Sequence, residues 1–166
     1  MEYVDYKDYS AMYGRDKLTE SEFPRYRADA MRLIDLYTTG IDDVQKLKVA
    51  FPTDENDIEA VKLCTCKLID VLRQIDAAES GAEAARGYTA TENGLQGNVI
   101  TSKSAGNESI SYSTTSNSQS AVDKAVSDPA EKKKLICGII TDGLRGVCDA
   151  NGVHLLYMGR YPQIRG

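Results

Sequence analysis

Three stretches of this 166-residue sequence place apolar residues at helical spacing, and that periodicity points to an α-dominated domain. The first opens with Leu18-Thr19-Glu20-Ser21-Glu22-Phe23. Thr19 and Glu22 have capping-box spacing, and Leu18 can staple against Phe23. Phe23, Tyr26, Ala30, Leu33, Ile34 and Tyr37 then share one face, and Gly40 is placed to end the helix. The second stretch follows Pro52-Thr53, where Asp54, Glu55 and Asp57 suit the positive end of a helix dipole. Val61, Cys64, Leu68, Ile69, Leu72 and Ile75 make its stripe, Cys66 lies off it, and Ser80-Gly81 closes it. The third has a weak start at Ala121-Val122 and a strong one at Asp128-Pro129-Ala130-Glu131. Leu135, Ile136, Ile139, Ile140, Leu144 and Val147 form its face, and Asn151-Gly152 ends it. Gly138, Gly143 and Gly146 weaken this helix, which predicts a closely packed neighbour.

Between Gly81 and Ser120 the composition shifts to Gly, Ser, Thr and Asn, as in a loop or linker. Inside it Gly97–Ser102 and Glu108–Ser113 read as short strands around Ala105-Gly106-Asn107, a hairpin with Lys103 near its tip. Two strands alone are marginal in water. Val99, Ile100, Ile110 and Tyr112 are therefore expected to pack on a neighbouring subunit. After the third helix, Val153-His154-Leu155-Leu156-Tyr157-Met158-Gly159-Arg160-Tyr161 reads as a strand with no evident partner in a helical core. The expected fold is mainly α: three main helices plus a short N-terminal helix in residues 1–152, a hairpin inserted at about 82–120, and an extended arm over 153–166.

Chemistry in the sequence is sparse. His154 is the only histidine, and there is no tryptophan. Cys64 and Cys66 are spaced C-x-C, and on a helix they point about 200° apart, so they cannot share one metal. No nucleophile–base pair, glycine-rich phosphate loop or metal triad can be assembled, so no catalytic residue, cofactor or metal is expected. No apolar run approaches the roughly 18 residues of a membrane helix, and MEYVDYKDY is too polar for a signal peptide, so a cytoplasmic product without membrane contact is expected. The net charge is −5, which disfavours wrapping DNA through its phosphates. Residues 1–80 hold 17 acids and 11 bases, net −6, and residues 81–166 hold 8 acids and 9 bases, net +1. That asymmetry suits a head-to-tail contact between copies, which closes into a ring when the rotation allows.

The ordering of these pieces resembles the head–tail connector, or adaptor, proteins beneath the portal of tailed bacteriophages. Tyr9-Ser10-Ala11-Met12-Tyr13-Gly14 followed by Leu18 to Arg25 is similar to that family's opening turn and "L-x-E-x-E-F" helix start. Ala30 through Thr39 resembles its first helix. Val61-Lys62 with Leu68-Ile69-Asp70 resembles its second, with Cys64 replacing an alanine. Ile100-Thr101-Ser102 with Ser109-Ile110-Ser111-Tyr112, and Leu155-Leu156-Tyr157-Met158-Gly159, resemble its hairpin and its "L-L-Y-R-G" ending. Lys103 and Met158 depart from the glutamate and arginine usual there, and the chain runs on to Gly166.

The resemblance implies a virion protein made in the host bacterial cytoplasm and placed at the head–tail neck. Its partners would be itself, in a ring of roughly a dozen copies, the portal protein, and a stopper or tail-completion protein. Genomic DNA would pass through the lumen without sequence-specific binding. The segment Val153–Tyr161 would be the portal-docking arm. Another head- or tail-completion ring protein is the near alternative. A small helical DNA-binding regulator is a more distant one, since Lys132-Lys133-Lys134 is the only basic run and spreads around its helix.

Overall fold

A computed structural model describes residues 2–91, 94–99, 102–105, 108–111 and 120–162. The protein is mainly helical, with six helices among the described residues: α1 (Tyr6–Tyr13), α2 (Phe23–Thr38), α3 (Lys46–Val49), α4 (Glu55–Ala85), α5 (Ala121–Ser127) and α6 (Pro129–Gly143). The chain divides into two compact units, Met1–Arg73 with Lys133–Gly166, and Gln74–Lys132. Residues 153–162 thus belong to the first unit.

Local chemistry sets the helix boundaries. Asp5 and Asp8 close a reciprocal capping box on α1. The Thr19–Glu22 box forms one turn ahead of α2: the Glu22 carboxylate accepts from the Thr19 backbone N–H at 3.3 Å and from its hydroxyl at 2.6 Å. The helix itself starts at Phe23 because Pro24, which lacks an N–H, suits a first-turn position. Asp54 caps α4, accepting from the Asn56 and Asp57 backbones at 2.9 and 3.3 Å. α4 runs through Gly81 to Ala85, past the expected stop. One glycine among alanines and glutamates costs only about 1 kcal/mol, too little to end a helix. Ser120 and Asp123 close a box on α5, and Asp128 then accepts from Ala130 N–H at 2.8 Å to start α6. α6 ends at Gly143 rather than near Asn151, because Gly146 turns the chain with φ +81°.

The first unit is built around Tyr3, Tyr9, Phe23, Ala30, Ile34, Leu68, Ile69, Ile140, Leu144 and Leu155, all buried in one apolar cluster. Tyr9 stacks on Tyr13 and meets Phe23, with ring centroids at 5.2 and 5.8 Å. Cys64 and Cys66 are both buried, so Cys66 is not on a solvent face as its stripe position suggests. The reason is that α4 is covered on two sides. Cys64 lies against Gly143 and the Ile139 carbonyl of α6, while Cys66 feels Asp5 and Asp8 at the start of α1. A Cβ on Gly143 would stand 3.0 Å from the Cys64 Cβ and Sγ, so α6 does approach a neighbour closely there. Gly138 meets nothing comparable.

In the second unit, β1 (Arg86–Thr91) pairs antiparallel with β2 (Gly94–Val99), and β3 (Ser102–Ala105) with β4 (Glu108–Ser111). The expected pairing of Gly97–Ser102 with Glu108–Ser113 is corrected by this register. Val99 stands opposite Arg86, in a different ladder from Ile110. Lys103 stands opposite Ile110 within a strand rather than at the turn. Ile100 and Tyr112 lie outside the described residues. Each ladder is local, its two strands separated by two residues in the sequence. Lys132 pairs with Glu79 at 2.9 Å in the same unit.

Candidate docking surface

The C-terminal segment is laid back onto the first unit, which corrects the extended arm expected from sequence. Its backbone is satisfied locally. Asp149 N–H donates to the Val153 carbonyl and Leu155 N–H to the Val147 carbonyl, both at 2.9 Å, around an antiparallel bridge between Cys148 and His154. The turn between them closes through Gly152 N–H to the Asp149 carbonyl at 2.9 Å, with Gly152 at φ +73°. The strand partner that the sequence did not reveal is thus the chain just upstream, and Asn151-Gly152 makes the turn rather than a helix end.

Lys46 anchors the far side of this segment. It is fully buried, and its ammonium donates to the carbonyls of Thr38 at 2.6 Å, Leu155 at 3.0 Å and Tyr157 at 2.5 Å. An ammonium has three N–H groups, and here each has an acceptor. Thr38 ends α2, so one of these acceptors is a carbonyl left without an intrahelical partner, at the negative end of the helix dipole. Burial pushes the Lys46 pKa below the usual lysine value, and Asp42 and Asp149 partly restore it. No local pattern in Val44-Gln45-Lys46-Leu47-Lys48 singles out this lysine, because lysine is rarely buried and its acceptors come from residues 109 and 111 positions away.

Further contacts fix the segment. Gly40 lies against the Gly159 carbonyl so closely that a Cβ there would overlap it. Gly40 was expected to end α2 through its backbone freedom; its role is close approach. Ile41 N–H donates to the Met158 carbonyl at 3.2 Å. Tyr161 N–H donates to Asp42 at 2.6 Å, and the Tyr161 hydroxyl donates to Asp149 at 2.5 Å and accepts from Asn151 at 2.8 Å. The Tyr161 hydrogen bond lowers the Asp42 pKa, while burial and then Asp149 raise that of Tyr161.

The residues expected to form a docking arm therefore divide. Leu155 is buried, Leu156 is half-buried against the core, and Val153 donates its N–H to Asp149 at 2.9 Å. His154 and Arg160 are exposed. Tyr157 and Met158 are 51% and 54% exposed, and Ile41, bonded to Met158 through the backbone, is 73% exposed. Lys46 holds the Tyr157 carbonyl, and the Met158 carbonyl is held by the Ile41 N–H. An open groove of about 780 Å³ runs along α2, lined by Arg27, Met31, Asp35, Leu36, Thr39 and Lys48. Its floor is set by Asp35, which accepts from the buried Tyr3 hydroxyl at 2.5 Å and pairs with Lys48 at 3.2 Å. The Tyr3 pKa is pushed up by burial and by Asp35.

Among the described residues, no group of three or more His, Cys, Asp or Glu side chains could hold a metal ion, and no helix is long and apolar enough to cross a membrane. In comparisons with known proteins, no family model, no curated protein and no solved structure matches the chain.

Proposed function

We propose that the chain is a structural assembly protein of the head–tail connector kind, acting as an adaptor ring of roughly a dozen copies between a portal and a stopper or tail. In that role it extends the channel for genomic DNA and helps retain the packaged genome. The carrying observation is the exposure of Tyr157 and Met158 on the Leu155–Gly159 segment, which is clamped by Lys46 and resembles the family's ending, together with that of Ile41, whose N–H donates to the Met158 carbonyl. Exposed apolar side chains on a fixed backbone supply the kind of surface that a partner can cover. The docking element in this reading is a folded surface and not a free strand. The net charge of −5 supports a lumen that does not grip phosphates. Lys132 pairs with Glu79, so the single basic run offers a DNA-binding regulator less free positive charge than its sequence suggests.

The test is capture of a portal protein by the wild-type chain and by an Ile41→Ser/Tyr157→Ser/Met158→Ser variant. All three positions are exposed, so the variant is expected to keep its helical circular dichroism and urea midpoint while losing portal capture. Undiminished capture would place docking elsewhere. A virion reconstruction showing the chain away from the portal vertex would remove the adaptor reading altogether.

A further inference from the structure

We propose that Cys148 and His154 form a two-ligand chelate for a soft transition-metal cation of the zinc class. Asp149 N–H to the Val153 carbonyl and Leu155 N–H to the Val147 carbonyl flank the Cys148–His154 bridge. This makes the two residues a non-hydrogen-bonded antiparallel pair, the arrangement that brings opposite side chains closest and on one face. The thiol Sγ and the imidazole Nδ1 stand 3.4 Å apart. Tetrahedral zinc with Zn–S near 2.3 Å and Zn–N near 2.05 Å requires a separation of about 3.6 Å, so a few tenths of an ångström bring both onto one ion.

Thiolate and imidazole are the donors that select zinc and its late first-row neighbours over magnesium or calcium. The pair is preorganised from outside its own two residues. Asp57 accepts from the Cys148 backbone N–H at 3.1 Å, and Asp149 fixes the turn through the Asn151 and Val153 N–H groups at 2.8 and 2.9 Å. Burial, then Asp57 and Asp149, raise the Cys148 pKa, so the unbound thiol is protonated. His154 is exposed and Cys148 half-buried, which leaves an open approach. On binding, the Sγ–metal bond forms as the thiol gives its proton to solvent, and the Nδ1 lone pair supplies the second bond. Water completes the shell, or the same pair from a second copy does.

Titration of the full chain with cobalt(II) tests this, read by the thiolate-to-cobalt charge-transfer absorption and its reversal by zinc. A saturable band with one cobalt per chain, or one per two chains with a matching rise in mass, supports the site. Cys148→Ser is expected to abolish the band, and His154→Gln to weaken binding at least about tenfold, since even outer-shell partners of a metal are worth tenfold or more. Cys137→Ser controls for the other partly exposed thiol and should change nothing. Circular dichroism identifies any variant that has unfolded, and Cys148→Ala then replaces Cys148→Ser. A band that survives in Cys148→Ser, an unaffected His154→Gln, or no band in the folded wild-type chain overturns the proposal.

Discussion

A buried ammonium is costly unless every N–H is paired, so Lys46 is the residue on which the first unit depends most sharply. Replacing it with methionine removes the charge but leaves the carbonyls of Thr38, Leu155 and Tyr157 facing an apolar side chain. Lys46→Met is expected to lower stability by about 2–4 kcal/mol, read as a shift of the urea midpoint. A second residue-level outcome concerns alkali. Burial pushes the Cys64 and Cys66 thiols up to about 12 from an ordinary 9.0, and burial then Asp70 push the Tyr9 hydroxyl up to about 12 from 10.0. From about pH 9 the unfolded chain loses protons that the folded chain keeps. Stability is therefore fully present below that pH and falls as pH rises toward 12, at up to about 1.4 kcal/mol per pH unit for each group in its window. A Cys64→Ala/Cys66→Ala variant should flatten the pH 9–10 part of the urea-midpoint curve. The sequence showed that Cys64 belongs to a packed stripe. It could not show Cys66 or Lys46 as buried, because both are covered by elements distant in the chain.

At the scale of elements, the glycines of α6 separate into two kinds. Gly143→Ala would drive a Cβ to 3.0 Å from the Cys64 Cβ and Sγ, and the helix-propensity gain of about 1 kcal/mol does not offset overpacking of about 1–3 kcal/mol. Gly138→Ala meets no atom within 4 Å and should gain up to about 1 kcal/mol. Thermal or urea unfolding of the two variants should move in opposite directions. The helices themselves were legible because their apolar stripes and N-caps are local signals, and α2, α4 and α6 lie where those signals put them. Their ends were less so: Gly81 fails to stop α4, and Gly146, not Asn151-Gly152, stops α6. The extended segments were the least legible. Asn151-Gly152 between Val147 and Val153 carries the hairpin pattern, yet a preceding helix made it read as a cap. In the second unit the strand-forming residues are few and polar, so hydrophobic alternation did not fix the register.

For the whole molecule, the position of Leu155 changes what truncation can mean. Removal of everything after Gly152 takes away a buried core leucine and two of the three acceptors of Lys46. An extended arm over 153–166, as the sequence suggests, would be removable without touching the helical fold. The structure makes loss of stability the expected outcome, visible as a lower urea midpoint, which is why exposed-residue substitutions are the cleaner probe of docking. The same clasp also has a kinetic meaning. Lys46 lies 109 and 111 positions from the carbonyls that receive it, so its shell of water can be shed only after nearly two thirds of the chain has closed into a loop. A contact of that separation is expected to form after the folding barrier, with the ammonium still hydrated there. Lys46→Met should therefore leave the refolding arm of a denaturant chevron in place and raise the unfolding arm, making this lysine a determinant of how long the native state lasts rather than how fast it is reached.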